Sequence, residues 1–122
     1  MGLDQCAYTR PDYQEPSEAP AQFIWRKHAK LQEFMEQLYV ERTGRPADEL
    51  NCGELHLLTE DIERLKQLVE NDELPTSAGG FFYGHQFQDE SAAEYRDQDL
   101  EFCAWAFGTI KAGNRVYFSC WW

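Results

Sequence analysis

The apolar positions change period several times along the chain, and each change marks an element. Residues 3–10, Leu-Asp-Gln-Cys-Ala-Tyr-Thr-Arg, alternate with period two and predict a strand that Pro11 ends. The stretch to Pro20 holds prolines, acids and little to bury, which predicts a surface loop. From Pro20 to Thr43 the period becomes helical. Ile24, His28, Leu31, Met35 and Leu38 share one face, Phe23, Phe34 and Tyr39 widen it, and Gly44 with Pro46 supplies a stop. Residues 50–58, Leu-Asn-Cys-Gly-Glu-Leu-His-Leu-Leu, predict a second strand.

Thr59 then reads as the N-cap of a helix whose first turn carries Glu60, Asp61 and Glu63 and whose inner stripe is Ile62, Leu65 and Val69. That helix stops at Asn71-Asp72-Glu73, where acids oppose the dipole, so this end should fray or be met by a cation. A turn over residues 74–80 feeds Phe81-Phe82-Tyr83, which predict a short buried strand. Ser91 and Glu94 have the spacing of a capping box and open a helix to Ala112, with Leu100, Cys103, Phe107 and Ile110 as its buried stripe. Residues 115–122 alternate Val116, Phe118 and Cys120 against Arg115, Tyr117 and Ser119, a strand the fold should need. The sum is one α+β domain over residues 1–122, with three helices packed on a small, mostly antiparallel sheet of about four strands.

Composition supports a packed interior, because 15% of the 122 residues are aromatic. The formal net charge is -11, and it is uneven: residues 1–50 carry -3, residues 51–110 carry -10 and residues 111–122 carry +2. Such a surface repels nucleic acid and anionic lipid and favours a basic partner. Arg26, Lys27, Lys30 and Arg42 make the first helical stretch locally basic, suited to an acidic neighbour within the fold. No apolar run approaches the ~18 residues that cross a bilayer, and Met1-Gly2-Leu3-Asp4 lacks the basic and apolar regions of a secretory signal, so a cytoplasmic setting is expected. Cys6, Cys52, Cys103 and Cys120 are far apart without a C-x-x-C pair and read as small buried hydrophobes.

Chemistry is sparse. On a strand, Cys52, Glu54 and His56 would share a face and could hold zinc, although a half-buried strand set explains them as well. His28 could be a buried general base or a core histidine bonded to a carbonyl. Gly79-Gly80 and Gly84 lack the Lys-Ser/Thr pair and following helix of a phosphate loop, so no nucleotide and no cofactor is expected. The most informative pattern is a line of acids, Glu90, Glu94, Asp97 and Glu101, at i, i+4, i+7 and i+11 of the last helix, with Trp105 beside it. Like charges at that spacing destabilise a helix by about 0.2–0.5 kcal/mol per pair. The stripe is either a solubilising face or a docking face for a basic surface.

Trp25-Arg26-Lys27, Asn51-Cys52, Leu58-Thr59-Glu60-Asp61-Ile62, Leu74-Pro75-Thr76 before Gly80-Phe81-Phe82-Tyr83-Gly84, Asp99-Leu100 and the ending Val116-Tyr117-Phe118-Ser119-Cys120-Trp121-Trp122 suggest a family. Together with Gly2-Leu3-Asp4 they resemble a widespread group of small phage, prophage and bacterial proteins without assigned chemistry. Some members carry the label phosphoglycerate kinase, which needs two large lobes and a nucleotide site; 122 residues have room for neither. The resemblance implies a phage setting in a bacterial cell. With the acidic stripe it leads to an expected partner, a basic surface of a host or phage protein, with an anti-CRISPR-like inhibitor as the sharpest form. The alternatives are a small metal-dependent or acid-base enzyme and a structural phage component that self-associates through Trp121-Trp122.

Overall fold

The computed structural model describes residues 2–11, 13–15, 19–77 and 87–122. Among them the chain forms strands β1 (Asp4–Thr9) and β2 (Phe23–Arg26), helix α1 (Ala29–Thr43), strand β3 (Glu54–Leu57), helices α2 (Thr59–Glu70) and α3 (Gln88–Lys111), and strand β4 (Val116–Trp121). The four strands make one antiparallel sheet in the order β2-β1-β4-β3. The expected α+β architecture is therefore present. The expected Phe81-Phe82-Tyr83 strand lies outside the described residues.

Period-two alternation divides the sheet into two faces. Ala7, Trp25, Leu55, Leu57, Val116, Phe118 and Cys120 point inward and join Leu31, Phe34, Met35 and Leu38 of α1, Ile62, Leu65 and Val69 of α2, and Phe102, Cys103 and Ala106 of α3 in one core. All three helices thus cover the same face of the sheet. Trp25 is the largest side chain buried completely, against the rings of Phe23, Phe102 and Phe118.

Four sequence expectations are corrected here. The helix expected from Pro20 begins only at Ala29, because residues 23–26 form β2. Ile24 and His28 fit a helical spacing by coincidence: Ile24 faces outward and is exposed, while Trp25 beside it faces the core. Lys27, with φ of 54°, breaks the strand before the helix starts. Ser91 does not cap α3, which starts at Gln88 because the Gln88 amide holds the backbone of Ser77 through N–H···Oε1 at 2.7 Å and Nε2–H···O at 3.3 Å. Its buried stripe is Asp99, Phe102, Cys103 and Ala106, one position off the expected Leu100, Phe107 and Ile110, which are only partly covered. Thr59 is the first residue of α2 rather than its cap, and Asp61 Oδ2 reaches back to accept the Leu58 N–H at 2.7 Å.

Two turns depend on glycine. Gly44 ends α1 with φ of 72° and donates its N–H to Val40 O, a left-handed cap that side chains oppose. At Gly53 a Cβ would stand 3.1 Å from the carbonyls of Glu49 and Leu50, closer than side chains ordinarily sit, so a substitution there would press on that backbone.

Side chains reach the backbone of both edge strands. On β2, Gln98 donates to Ile24 O at 2.7 Å, and the Tyr95 hydroxyl accepts from Arg26 N–H at 3.0 Å. On β3, Arg42 donates to His56 O at 2.6 Å and forks onto both oxygens of Asp61 at 2.9 and 2.8 Å. Ile24 O, Arg26 N–H and His56 O, strand groups that could otherwise template another chain, are thereby occupied.

Candidate functional site

α3 presents different chemistry on different sides, and its 3.6-residue period decides which side chain goes where. Glu90, Glu94, Asp97 and Glu101 are all exposed, as their spacing requires. Among the described residues none of the four makes an ion pair. The carboxylates that serve the fold behave otherwise: Glu54, Asp61, Asp89 and Asp99 each hold a basic or imidazole partner within 2.9 Å. Trp105 is half-buried beside the stripe, packed on Phe23 and Phe102 with ring centroids 5.5 and 6.1 Å away.

The side of α3 nearer α2 opens into a cleft of about 340 Å³ walled by Leu68, Val69, Leu74, Ala92 and Ala93. Lys30 also lines it, 2.7 Å from Asp89. So does Arg96, with a long contact of 3.9 Å to Asp72 and a bond to Glu70 O at 3.3 Å. Arg96 is the cation that the acid-rich end of α2 called for. The basic residues of the α1 region likewise meet acids of α2 and α3, Arg42 with Asp61 and Lys30 with Asp89.

Asp99 forms part of the cleft floor, 1% exposed. Its Oδ1 accepts from Trp25 Nε1–H at 2.8 Å and its Oδ2 from His28 Nε2 at 2.7 Å. A carboxylate only accepts, so His28 carries its proton on Nε2, and Nδ1 has no hydrogen-bond partner among the described residues. The imidazole stacks on Tyr95 at 5.2 Å. It is completely buried and it donates to a carboxylate, not to a carbonyl. In that position the ring ties β2 and α1 to α3. This triad was missed in the sequence, although its signal was there: Asp99 is a charged residue on the apolar phase of α3.

The supposed zinc set comes apart. Cys52 lies before β3, in a turn with φ of 62°, so the strand period does not extend to it. Glu54 and His56 do share the outer face of β3, but each is engaged there. Arg10 forks onto Glu54, Nε to Oε2 at 2.9 Å and Nη2 to Oε1 at 2.6 Å, and Tyr8 donates to Oε2 at 2.6 Å. The guanidinium lies 4.6 Å from the centre of the Tyr117 ring, against which His56 also packs at 5.3 Å. Among the described residues no group of three or more His, Cys, Asp or Glu is arranged to hold a metal ion. Gly79, Gly80 and Gly84 lie outside the described residues. No described helix is long and apolar enough to cross a membrane.

Electrostatics make this cluster pH-sensitive. Burial alone would raise the Glu54 carboxyl, but the hydrogen bonds from Arg10 and Tyr8, with the Arg10 charge, outweigh it and hold the group below its ordinary 4.5. Burial, helped by the Arg115 and Arg42 charges, lowers His56 from its ordinary 6.5. Both groups bind protons more readily unfolded than folded, so each adds stability above its unfolded value that is lost as pH falls through the folded one. Thermal melts should therefore weaken in two steps on acidification, first below about pH 6.5 and again below about pH 4.5, the ordinary values of the two groups. H56N should remove the first step and E54Q should flatten the second. Melting curves of the three proteins across this range, parallel throughout, would contradict the assignment.

Comparison of the chain with protein-family models, with curated proteins and with solved structures gives no match.

Proposed function

We propose that this protein is a non-catalytic binding module whose α3 docks, through Glu90, Glu94, Asp97, Glu101 and Trp105, on a basic surface of a host or phage protein. The observation that carries the reading is the exposed line of carboxylates on α3 that form no ion pair among the described residues, set against Glu54, Asp61, Asp89 and Asp99, which do. Self-repulsion along the stripe lowers helix stability, and a docked basic surface would relieve it. Trp105 supplies an apolar anchor at the end of the line. Nucleic acid and anionic membranes are disfavoured partners for a chain of net charge -11.

The phage setting rests on the family resemblance. There the reading sharpens to an anti-CRISPR-like inhibitor, an acidic face occupying the surface with which a defence complex would hold nucleic acid. The triple variant Glu94→Lys, Asp97→Lys, Glu101→Lys should lose its partner without a lower melting temperature, because the side chains are exposed and support nothing. Affinity capture from a bacterial lysate at low and at moderate salt, with wild type and variant in parallel, is the test. A basic protein held by wild type, released by salt and absent from the variant is expected, since exposed charge pairs are screened within about 8 Å at physiological ionic strength. Equal retention by the variant would refute the docking face.

A further inference from the structure

The face of the sheet turned away from the helices is covered at its middle, and one side chain lies across it. Register sets Tyr8 of β1, Tyr117 of β4 and His56 of β3 side by side in one row there. Tyr8 is 3% exposed and Tyr117 5%. The guanidinium of Arg10 lies over the Tyr117 ring at 4.6 Å, and Tyr8 stacks on the same ring from β1 at 5.9 Å. Arg10 works in two directions. Towards β3 it forks onto Glu54, and towards its own segment Nη1 donates to Pro11 O at 3.3 Å and Gln14 O at 2.9 Å. Those residues are the ends of a turn that the Gln14 N–H closes on Pro11 O at 3.1 Å. The turn is thus hung on the sheet through the guanidinium, and the guanidinium through one carboxylate. On either side the chain is pinned independently, by Thr9 Oγ1–H donating to Arg115 O at 2.7 Å and Gln22 N–H donating to Ala7 O at 2.8 Å.

We propose that Arg10 and Glu54 form an acid-released catch: protonation of Glu54 frees Arg10, and the turn from Pro11 to Gln14 moves off the sheet and uncovers Tyr117 while the domain stays folded. Ionised, Glu54 accepts two bonds from Arg10 and one from the Tyr8 hydroxyl at 2.6 Å. Protonated, it loses its charge and turns one oxygen into a donor that faces other donors, so the fork cannot be kept. The neighbouring groups do not open the catch. Burial and the bond to Glu54 raise Tyr8, which keeps its proton, and Cys6 adds to that effect. His56, on the same strand as Glu54, favours the ionised carboxylate once charged, while Arg115, Arg42 and Asp61 act on His56. Burial raises Glu54, but the Arg10 and Tyr8 bonds outweigh it and hold the group below its ordinary 4.5. The catch is therefore shut at neutral pH and opens as pH falls through that lowered value. The pins at Thr9 and Gln22 confine the movement to the segment between them.

Two-dimensional NMR of the full chain from about pH 7 to about pH 3 tests the inference. The ring signals of Tyr8 and Tyr117 should shift together below pH 4.5, while the Trp25 Nε1–H signal, held in the core by Asp99, keeps its position. E54Q should show the acid-form tyrosine signals already at neutral pH, and R10Q should match it, both with cooperative melts. Nitration of Tyr117 at neutral pH, followed by peptide mass, should be about tenfold faster or more in both variants than in wild type. Tyrosine signals that move only where the Trp25 signal is lost would make the release part of global unfolding and overturn the catch. So would variants whose tyrosine signals and nitration match wild type at neutral pH, or failure of both variants to fold, which would make the pair a tie the whole sheet depends on.

Discussion

Removal of residues 115–122 is expected to abolish cooperative unfolding altogether. β4 is the second interior strand, pairing with β1 over Asp4–Thr9 on one side and with β3 over Glu54–Leu57 on the other. Without it β3 has no strand neighbour, and the sheet falls into a two-stranded ribbon and an isolated segment, neither stable alone in water. Val116, Phe118 and Cys120 are completely buried and Tyr117 nearly so. At about 1.5–3 kcal/mol for each large side chain, their burial alone contributes some 6–10 kcal/mol, against a total of about 5–15 kcal/mol for an ordinary domain. Calorimetry of the truncated chain should show no sharp transition. A retained cooperative melt would mean that β4 is dispensable and that the core is built around other strands.

Asp99→Ala is expected to have the largest effect of any single substitution. The change strands two donors in the core, Trp25 Nε1–H and His28 Nε2–H, both bonded only through this carboxylate. Leaving a buried donor unmet costs about 1–3 kcal/mol, so the two together cost some 2–6 kcal/mol. A loss of about 3–5 kcal/mol, or about 10–20 °C in melting temperature for a domain of this size, follows. Asn at this position repairs only half the damage, since its oxygen serves Trp25 while its NH2 group faces the His28 N–H. A double-mutant cycle with Trp25→Phe should return a coupling of about 1 kcal/mol or more, because the two variants remove the same bond. Additive losses, or less than about 1 kcal/mol for Asp99→Ala, would show that the triad contributes little.

The elements written in local pattern were legible from the sequence, and those decided by distant partners were not. β1, β3, α2 and β4 follow from alternation, helical spacing and first-turn acids close to where the structure has them. β2 was hidden because Ile24, His28 and Leu31 happen to keep helical spacing, and what makes residues 23–26 a strand is the pairing offered by β1, some twenty residues earlier. The acidic stripe could be read because a helix face is a property of one segment, and all four carboxylates are indeed exposed. Asp99 carried a signal, an acid three and four residues before Phe102 and Cys103, but its partners could not be read, since Trp25 and His28 lie 74 and 71 residues away along the chain. The Arg10–Glu54 pair, 44 residues apart, was hidden for the same reason, and the false zinc set was drawn by extending a strand period through Cys52 into a turn.

The grip of Gln5 on the start of α1 has a mechanical consequence. Its Oε1 accepts the His28 N–H at 3.0 Å while its Nε2 donates to His28 O at 3.1 Å and to Gln32 Oε1 at 3.3 Å, so a side-chain amide from β1 stands in for a strand neighbour at the joint between β2 and α1. That joint is pinned on both sides of one residue and cannot serve as a hinge. Lys30, two residues on, is carried as a fixed post on the sheet, and the bonds from Asp99 hold the middle of α3 to the same joint. Any breathing of the cleft is then confined to α2 and the first turn of α3, and the Lys30–Asp89 contact is the latch such a motion would have to release.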